Sequence, residues 1–353
     1  MSARARLLHD SRWQGVIHLT GGGAGFLAEV LGTAGASRSV LDAGVPYSPE
    51  SLTELLGSAP AQACSAGTAR AMAMGGFERA RRLGATRPFG FACTASLATD
   101  RAKRGRCRAH IAVQTPARGF HAEFSAFSVV HDRAIQEQEL VEVAWDVLLS
   151  ALDLAGDRKI ELNTVEAAPE WQALVDGRLS HFSTAPHPGD LVFPGSFNPL
   201  HDGHRGMMAV AERRLGGPGA YELSIENPDK PVLDYFEIRS RLEQFERPVW
   251  LTRLPTFAEK ARKFPGATFV IGTDTLVRIA DPGYYGGLVQ RDEAIAGMLG
   301  HGVRFLVFGR LFNGDFQQLG DQVLPASLLD ACSGVDEAEF RMDVSSTLAR
   351  RSR

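Results

Sequence analysis

Twice in this chain an apolar run enters a glycine-bearing turn and leaves with helical spacing. The two stretches are 16-VIHLTGGGAGFLAEVLG-32 and 191-LVFPGSFNPLHDGHRGMMAVAERRL-215. A strand that feeds a helix through a tight turn is the unit of a parallel sheet, because the helix carries the chain back to start the next strand alongside. Further units follow in both halves. In the first, 65-SAGTARAMAMGGFERARRL-83 opens on a capping-type Ser65, and 133-RAIQEQELVEVAWDVLLSALDLAG-156 is amphipathic and stops at Gly156. Phe89–Cys93 and Ala109–Val113 are strand candidates there. In the second half, strand candidates Leu191–Phe193, Tyr221–Ile225, Val249–Thr252, Thr268–Ile271 and Val303–Phe308 alternate with helical stretches such as 234-DYFEIRSRLEQF-245.

The pattern predicts an α/β chain of two domains, each with a mostly parallel sheet flanked by helices. A length of 353 residues gives room for both. The Pro-, Ser- and His-rich run 181-HFSTAPHPG-189 marks the boundary, so the expected division is 1–156, a linker over 157–188, and 189–353.

The apolar fraction of 44% suffices for two cores, and the formal net charge of −3 implies no general attraction to nucleic acid or membrane. The cysteines Cys64, Cys93, Cys107 and Cys332 form no CxxC pair, which argues against a structural zinc site and fits a reducing compartment. The N-terminal stretch has no long apolar core, and no run reaches the length of a membrane span. A cytoplasmic protein with small-molecule substrates and no protein-bound metal is expected, as a monomer or homo-oligomer.

The turn 195-GSFNPLHDGH-204 carries more chemistry than a turn needs. Gly195 permits close approach of the backbone to a ligand, and Asn198-Pro199 fixes a turn. His201 and His204, three apart, share a face of an opening helix, whose N-terminus adds free N–H groups and a positive dipole end. That set suits a polyphosphate whose α-phosphoryl gains charge during transfer. It also describes a plain turn with two surface histidines, or two zinc ligands without a third. Near the C-terminus, 345-SSTLAR-350 follows the strand candidate 338-AEFRMDV-344 and offers cap hydroxyls and an arginine one turn along, and 270-VIGTDTL-276 ends a strand candidate at Gly272 with Asp274 just beyond.

Together, GSFNPLHDGH and SSTLAR resemble the HxGH nucleotidylyltransferase superfamily. With IGTD at 271–274, the form is most similar to nicotinamide or nicotinate mononucleotide adenylyltransferases, over about Asp190–Arg353. The resemblance implies a Rossmann-like fold and transfer of AMP from ATP to a phosphorylated acceptor, with release of pyrophosphate, in NAD biosynthesis. It implies that His201, His204 and Arg350 are catalytic. Gly195, Ser196, Phe197, Asn198, Gly203, Ser345, Ser346 and Thr347 would hold the nucleotide, with Gly272 and Asp274 at the adenosine. Mg²⁺ would accompany the triphosphate. Lys230 is a further phosphate-contact candidate, and equally an exposed loop lysine. Tyr235, Phe236, Tyr284 and Tyr285 are aromatics available to stack an acceptor ring. CTP as donor, pantetheine phosphate as acceptor, and a non-catalytic nucleotide sensor are the alternatives.

The first half has its own resemblance. Thr20-Gly21-Gly22, then 47-YSPES-51, 65-SAGTARAMAMGGFERARRLGA-85 and 92-ACTASLA-98, is similar to the competence/damage-inducible (CinA C-terminal) family over roughly residues 10–155. That family includes nicotinamide mononucleotide amidases. Its catalytic residues are altered here. Where the family carries Glu-Ser-Cys, with the serine as nucleophile, this chain reads Ile17-His18-Leu19. The family's lysine falls on Leu52, and its glycine-bearing loop reads 94-TASLAT-99. A hydroxyl nucleophile needs both its oxygen and an activating partner. The expectation is a degenerate amidase-related domain, with His18, Thr20, Gly21, Gly22, Tyr47 and Thr94 as pocket candidates. Amidase activity through a rearranged site is the alternative.

Overall fold

The computed structural model describes residues 2–100, 105–129, 131–154, 160–227, 231–312 and 314–343. The chain divides into two compact units, Met1–Asp176 with Asp229–Glu237, and Gly177–Pro228 with Ile238–Arg353. The expected α/β class holds in both.

The first unit runs α1 (Ala3–His9), β1 (Gln14–Thr20), α2 (Ala24–Gly32), β2 (Val40–Gly44), α3 (Pro49–Leu56), α4 (Ala66–Arg82), β3 (Pro88–Ser96), β4 (Arg108–Gln114), β5 (Arg118–Phe124), α5 (Arg133–Ala151), β6 (Asn163–Glu166) and α6 (Pro169–Val175). Its sheet has the order β2-β1-β3-β4-β5-β6. The parallel part is β2-β1-β3, as the βα pattern requires. After β3 the order changes: β4 and β5 follow as an antiparallel meander with no helix between them, and β6, which comes after α5, pairs antiparallel at the edge on β5. One face packs Ile17, Leu19, Phe91 and Cys93 against Phe26 of α2 and Trp145 of α5. The other packs Ala92 and Ala112 under Leu52, Ala69, Met72 and Ala73 of α3 and α4.

In the second unit the elements are β7 (His181–Ser183), β8 (Leu191–Pro194), α7 (Asp202–Leu215), β9 (Ala220–Ser224), α8 (Tyr235–Leu242), β10 (Val249–Thr252), α9 (Phe257–Lys263), β11 (Thr268–Gly272), α10 (Thr273–Ala280), α11 (Leu288–Leu299), β12 (Arg304–Phe308), a β13 (Arg310–Phe312) and β14 (Asp315–Gln317) hairpin, α12 (Ala326–Asp330) and β15 (Cys332–Val335). The first three residues of α8 group with the first unit. The sheet order is β15-β12-β11-β8-β9-β10-β7, and all pairings are parallel except β7 on β10. The chain therefore steps from β8 to β9 and β10 on one side, then crosses back to β11 on the other. Loops that leave β8 and β11 in opposite directions open a crevice between the strand ends, which is where ligands bind in such sheets.

Two sequence expectations change. Residues 157–188, expected as linker, contain β6, α6 and β7. Those two strands are short and join sheet edges, so they carry no alternation long enough to read. The strand expected at 338–344 is not one in its described part. The strand is Cys332–Val335, and 337–339 turn away where Glu339 pairs with Arg214 of α7.

Candidate functional site

The switch point of the second sheet lies between β8 and β11, and the histidine loop fills one side of it. His201 is the N-cap of α7, with extended backbone, and His204 is three residues inside the helix. Both side chains are more than nine-tenths buried. Cap and third-residue geometry brings the rings into a stack 3.7 Å apart at 22°. The backbone N–H of His201 donates to Nδ1 of His204 at 3.3 Å. A nitrogen that accepts carries no proton, so the neutral His204 has its proton on Nε2. Burial, first, and then the neighbouring His201, Arg310 and Arg205 push His204 down to about 3. His201 is lowered by burial and by the Arg310 charge, against the opposing Asp202.

On the other side of the switch point, Gly272 caps α10 and Asp274 stands in its first turn. One strand further, β12 is followed by Gly309 and Arg310. Arg310 meets this cluster: its Nε is 3.7 Å from Asp274 Oδ1, and a Cβ on Gly272 would come within 2.8 Å of that Nε. The guanidinium was not among the sequence-based candidates. It follows an apolar strand with no motif around it, and its place at the site comes from β12 lying beside β11.

Two polar atoms here lack a hydrogen-bond partner while buried: Nδ1 of His201 and Nε of Arg310. A buried polar atom left open costs about 1–3 kcal/mol, and such groups concentrate where a ligand completes them. Around them stands the N-terminus of the fourteen-residue α7, whose His204 amide donates to His201 O and whose positive dipole end favours an anion.

The remaining loop candidates are placed as follows. Gly195 donates its N–H to Glu222 O and lies so close to the Phe197 ring that a Cβ there would stand 2.7 Å from it. Gly195 thus serves an aromatic contact within the loop. Phe197 is buried and packs edge-on against Phe193, Tyr221, Phe245 and His204. It is a core residue of the loop, not a surface for a nucleotide. Asn198-Pro199 is a cis bond. Ser196 presents its carbonyl to Arg241, and Gly203 is buried inside α7. Ser345, Ser346, Thr347, Arg350 and Lys230 lie outside the described residues. Of the aromatics, Tyr235 is fully buried with its hydroxyl on Pro116 O, in the first unit. Phe236 lies under the Arg70 guanidinium there, and the Tyr285 hydroxyl donates to Ile279 O. Tyr284 stays largely exposed. Tyr235 is therefore removed from the stacking candidates by burial.

The first unit has its own switch point at β1 and β3. Thr20 and Thr94 are direct partners across those strands, and His18 sits two residues before Thr20, between Gly44 and Ala92. His18 is buried, lowered by that burial, and its Nδ1 lies 3.1 Å from Met72 O. Since a carbonyl only accepts, Nδ1 carries the proton. Thr94 is fully buried with Oγ1 unpartnered. Gly21 has φ +76, and a Cβ there would strike Ala95 O at 1.9 Å; a Cβ on Gly22 would stand 2.8 Å from Leu97 and 3.1 Å from Leu140. The glycines thus serve packing of the turn against β3 and α5. Tyr47 is 65% exposed, after β2.

No family model matches this chain, and no curated protein does. Among solved structures it is similar to the competence/damage inducible protein CihA from Agrobacterium tumefaciens, at 17% identity and a TM-score of 0.33, over 44% of this chain and 96% of that one. A CinA superfamily protein from Klebsiella pneumoniae is similar at 17% identity and a TM-score of 0.34, over 42% and 93% of the respective chains. The competence damage-inducible protein A from Klebsiella pneumoniae subsp. pneumoniae gives 17% identity and 0.33, over 42% and 92%. No described helix is long and apolar enough to cross a membrane, and the described residues hold no cluster of three His, Cys, Asp or Glu side chains placed for a metal.

Proposed function

We propose that the second unit is a nucleotidylyltransferase that moves AMP from ATP onto a phosphorylated acceptor, nicotinamide or nicotinate mononucleotide, with release of pyrophosphate. One observation carries the reading: the open, buried nitrogens of His201 and Arg310 stand with the start of α7 at the switch point between β8 and β11. Neutral imidazole donors, a guanidinium and helix amides together match phosphate oxygens. Attack of the acceptor phosphate on the α-phosphorus places charge on its oxygens, and His204 Nε2–H is a fixed donor for that charge. Arg310 neutralises the polyphosphate without a proton transfer.

The last described part of the chain runs beside the histidine helix. Phe340 lies against Gly206, two residues past His204, where a Cβ on that glycine would be 2.6 Å from the ring. On this reading the hydroxyls of Ser345, Ser346 and Thr347 and the guanidinium of Arg350, all outside the described residues, serve the β- and γ-phosphates. Mg²⁺ fits as a companion of the triphosphate, supplying charge neutralisation on its oxygens; its ligands would be those oxygens and water.

We read the first unit as amidase-related without amidase chemistry. Leu52, at the place of the family's lysine, is buried in the α3–α4 core and offers no amine. The test is pyrophosphate release from ATP and CTP crossed with a panel of phosphorylated acceptors. Turnover with at least one pair is expected, falling by about two to three orders of magnitude in His204→Ala. No turnover with any pair overturns the reading. Ammonia release from nicotinamide mononucleotide, abolished by His18→Ala or Thr20→Ala, would restore the hydrolase alternative.

A further inference from the structure

Gln244 lies in the turn just after α8, and its side-chain amide is used at both ends. Oε1 accepts the Leu200 N–H at 2.8 Å, and Nε2 donates to Phe197 O at 3.2 Å. One turn earlier, Arg241 donates to Ser196 O at 3.0 Å. The next residue, Phe245, sets its ring edge-on against Phe197, centroids 5.2 Å apart. A single short segment, 241–245, therefore grips the histidine loop at the carbonyls of 196 and 197, the amide of 200 and one ring.

The loop needs that grip. Phe197 has φ +43, a left-handed backbone for a residue with a side chain. Such a conformation is strained and persists only where the surroundings over-determine it. The Phe197 ring in turn supports His204, at 5.1 Å between centroids. Misplacing a catalytic group by about 1 Å can cost about a hundredfold in rate.

The geometry points to Gln244 as a positioning residue for phosphoryl contact. It touches no substrate itself. It holds 196–200 in the one shape that sets His201 as the cap of α7 and His204 beneath it. This rests on the nucleotidylyltransferase reading, and nothing in the GSFNPLHDGH or SSTLAR resemblance points to it. Neither end of the amide can be replaced alone without loss: a carboxylate keeps the acceptor for Leu200 but sets an oxygen against the Phe197 carbonyl.

The experiment compares wild type, Gln244→Ala and Gln244→Glu by steady-state pyrophosphate release and by amide hydrogen exchange. Expected in Gln244→Ala are a kcat lower by about tenfold or more, a triphosphate KM within about threefold, and faster exchange at Leu200. Gln244→Glu should speed Leu200 exchange less than Gln244→Ala does and still be slow in turnover. Unchanged kcat overturns the proposal, whether or not Leu200 exchange changes, and so does a raised KM with unchanged kcat. Exchange requires no turnover. Should the wild type release no pyrophosphate, the reading of the reaction fails, and unaltered Leu200 exchange would separately remove Gln244 as the loop's clamp.

Discussion

The backbone N–H of His201 donates to Nδ1 of His204 at 3.3 Å, while the two rings stack at 3.7 Å. This contact assigns the tautomer of His204, with its proton on Nε2, and couples the loop backbone to the ring that the proposed chemistry uses.

A neutral His204 has a kinetic consequence. Its usual value of 6.5 is driven down to about 3, mainly by burial, so between pH 8 and pH 5 the ring stays unprotonated beyond its single Nε2–H. The kcat/KM profile is expected to contain no limb near pH 6.5 that belongs to His204. A limb there that vanishes in His204→Asn would contradict the neutral-donor assignment.

Arg310 makes a separate prediction. Arg310→Met removes the cation beside both imidazoles, so the His201 titration should move upward, because Arg310 helps hold it down. The triphosphate KM should rise by about tenfold to a hundredfold, a loss of roughly 1.4–2.7 kcal/mol in binding. Arg310→Lys should recover little, since the open nitrogen is Nε, which lysine lacks. Nucleotide binding at wild-type strength in Arg310→Met would place the polyphosphate elsewhere.

The first unit should be acid-sensitive through His110 and His121. Their nitrogens approach at 3.2 Å, both side chains are buried, and His121 is lowered to about 4, mainly by burial and then by Arg70 and His110. A histidine whose folded value lies below its unfolded one binds its proton more readily when unfolded. Its contribution is therefore complete above pH 6.5 and is lost as the pH falls from 6.5 toward 4. Amide exchange in β4 and β5, extrapolated for intrinsic rate, should show weaker protection at pH 5 than at pH 7, and less of that difference in His121→Gln. Equal protection at the two pH values would refute it.

Much of the fold was legible because the signals were local. An apolar run, a glycine turn and a helical spacing lie within about twenty-five residues at 191–215, and the structure has β8, the histidine loop and α7 there. The meander after β3 was less legible: Ala109–Val113 read as a strand, but nothing local distinguishes an antiparallel partner from a parallel one. β6, Asn163–Glu166, has only Val165 buried, and so no alternation to detect. For the candidate site, His201, His204 and Asp274 could be singled out because each sits in a turn with its own chemistry. Arg310 and Gln244 could not. Their roles come from strand order and from a turn packed on a loop some forty-five residues away in sequence. The place of Phe197 in the motif suggests a ligand contact, and its burial gives it a packing role instead.

The central claim is that His201, His204 and Arg310 hold a polyphosphate together. Its most direct test is a titration of histidine-labelled protein with a non-hydrolysable ATP analogue, followed by the imidazole nitrogen resonances. Saturable shifts of both His201 and His204, greatly weakened in Arg310→Met, are expected. Binding of the analogue that leaves both resonances unmoved would contradict the account.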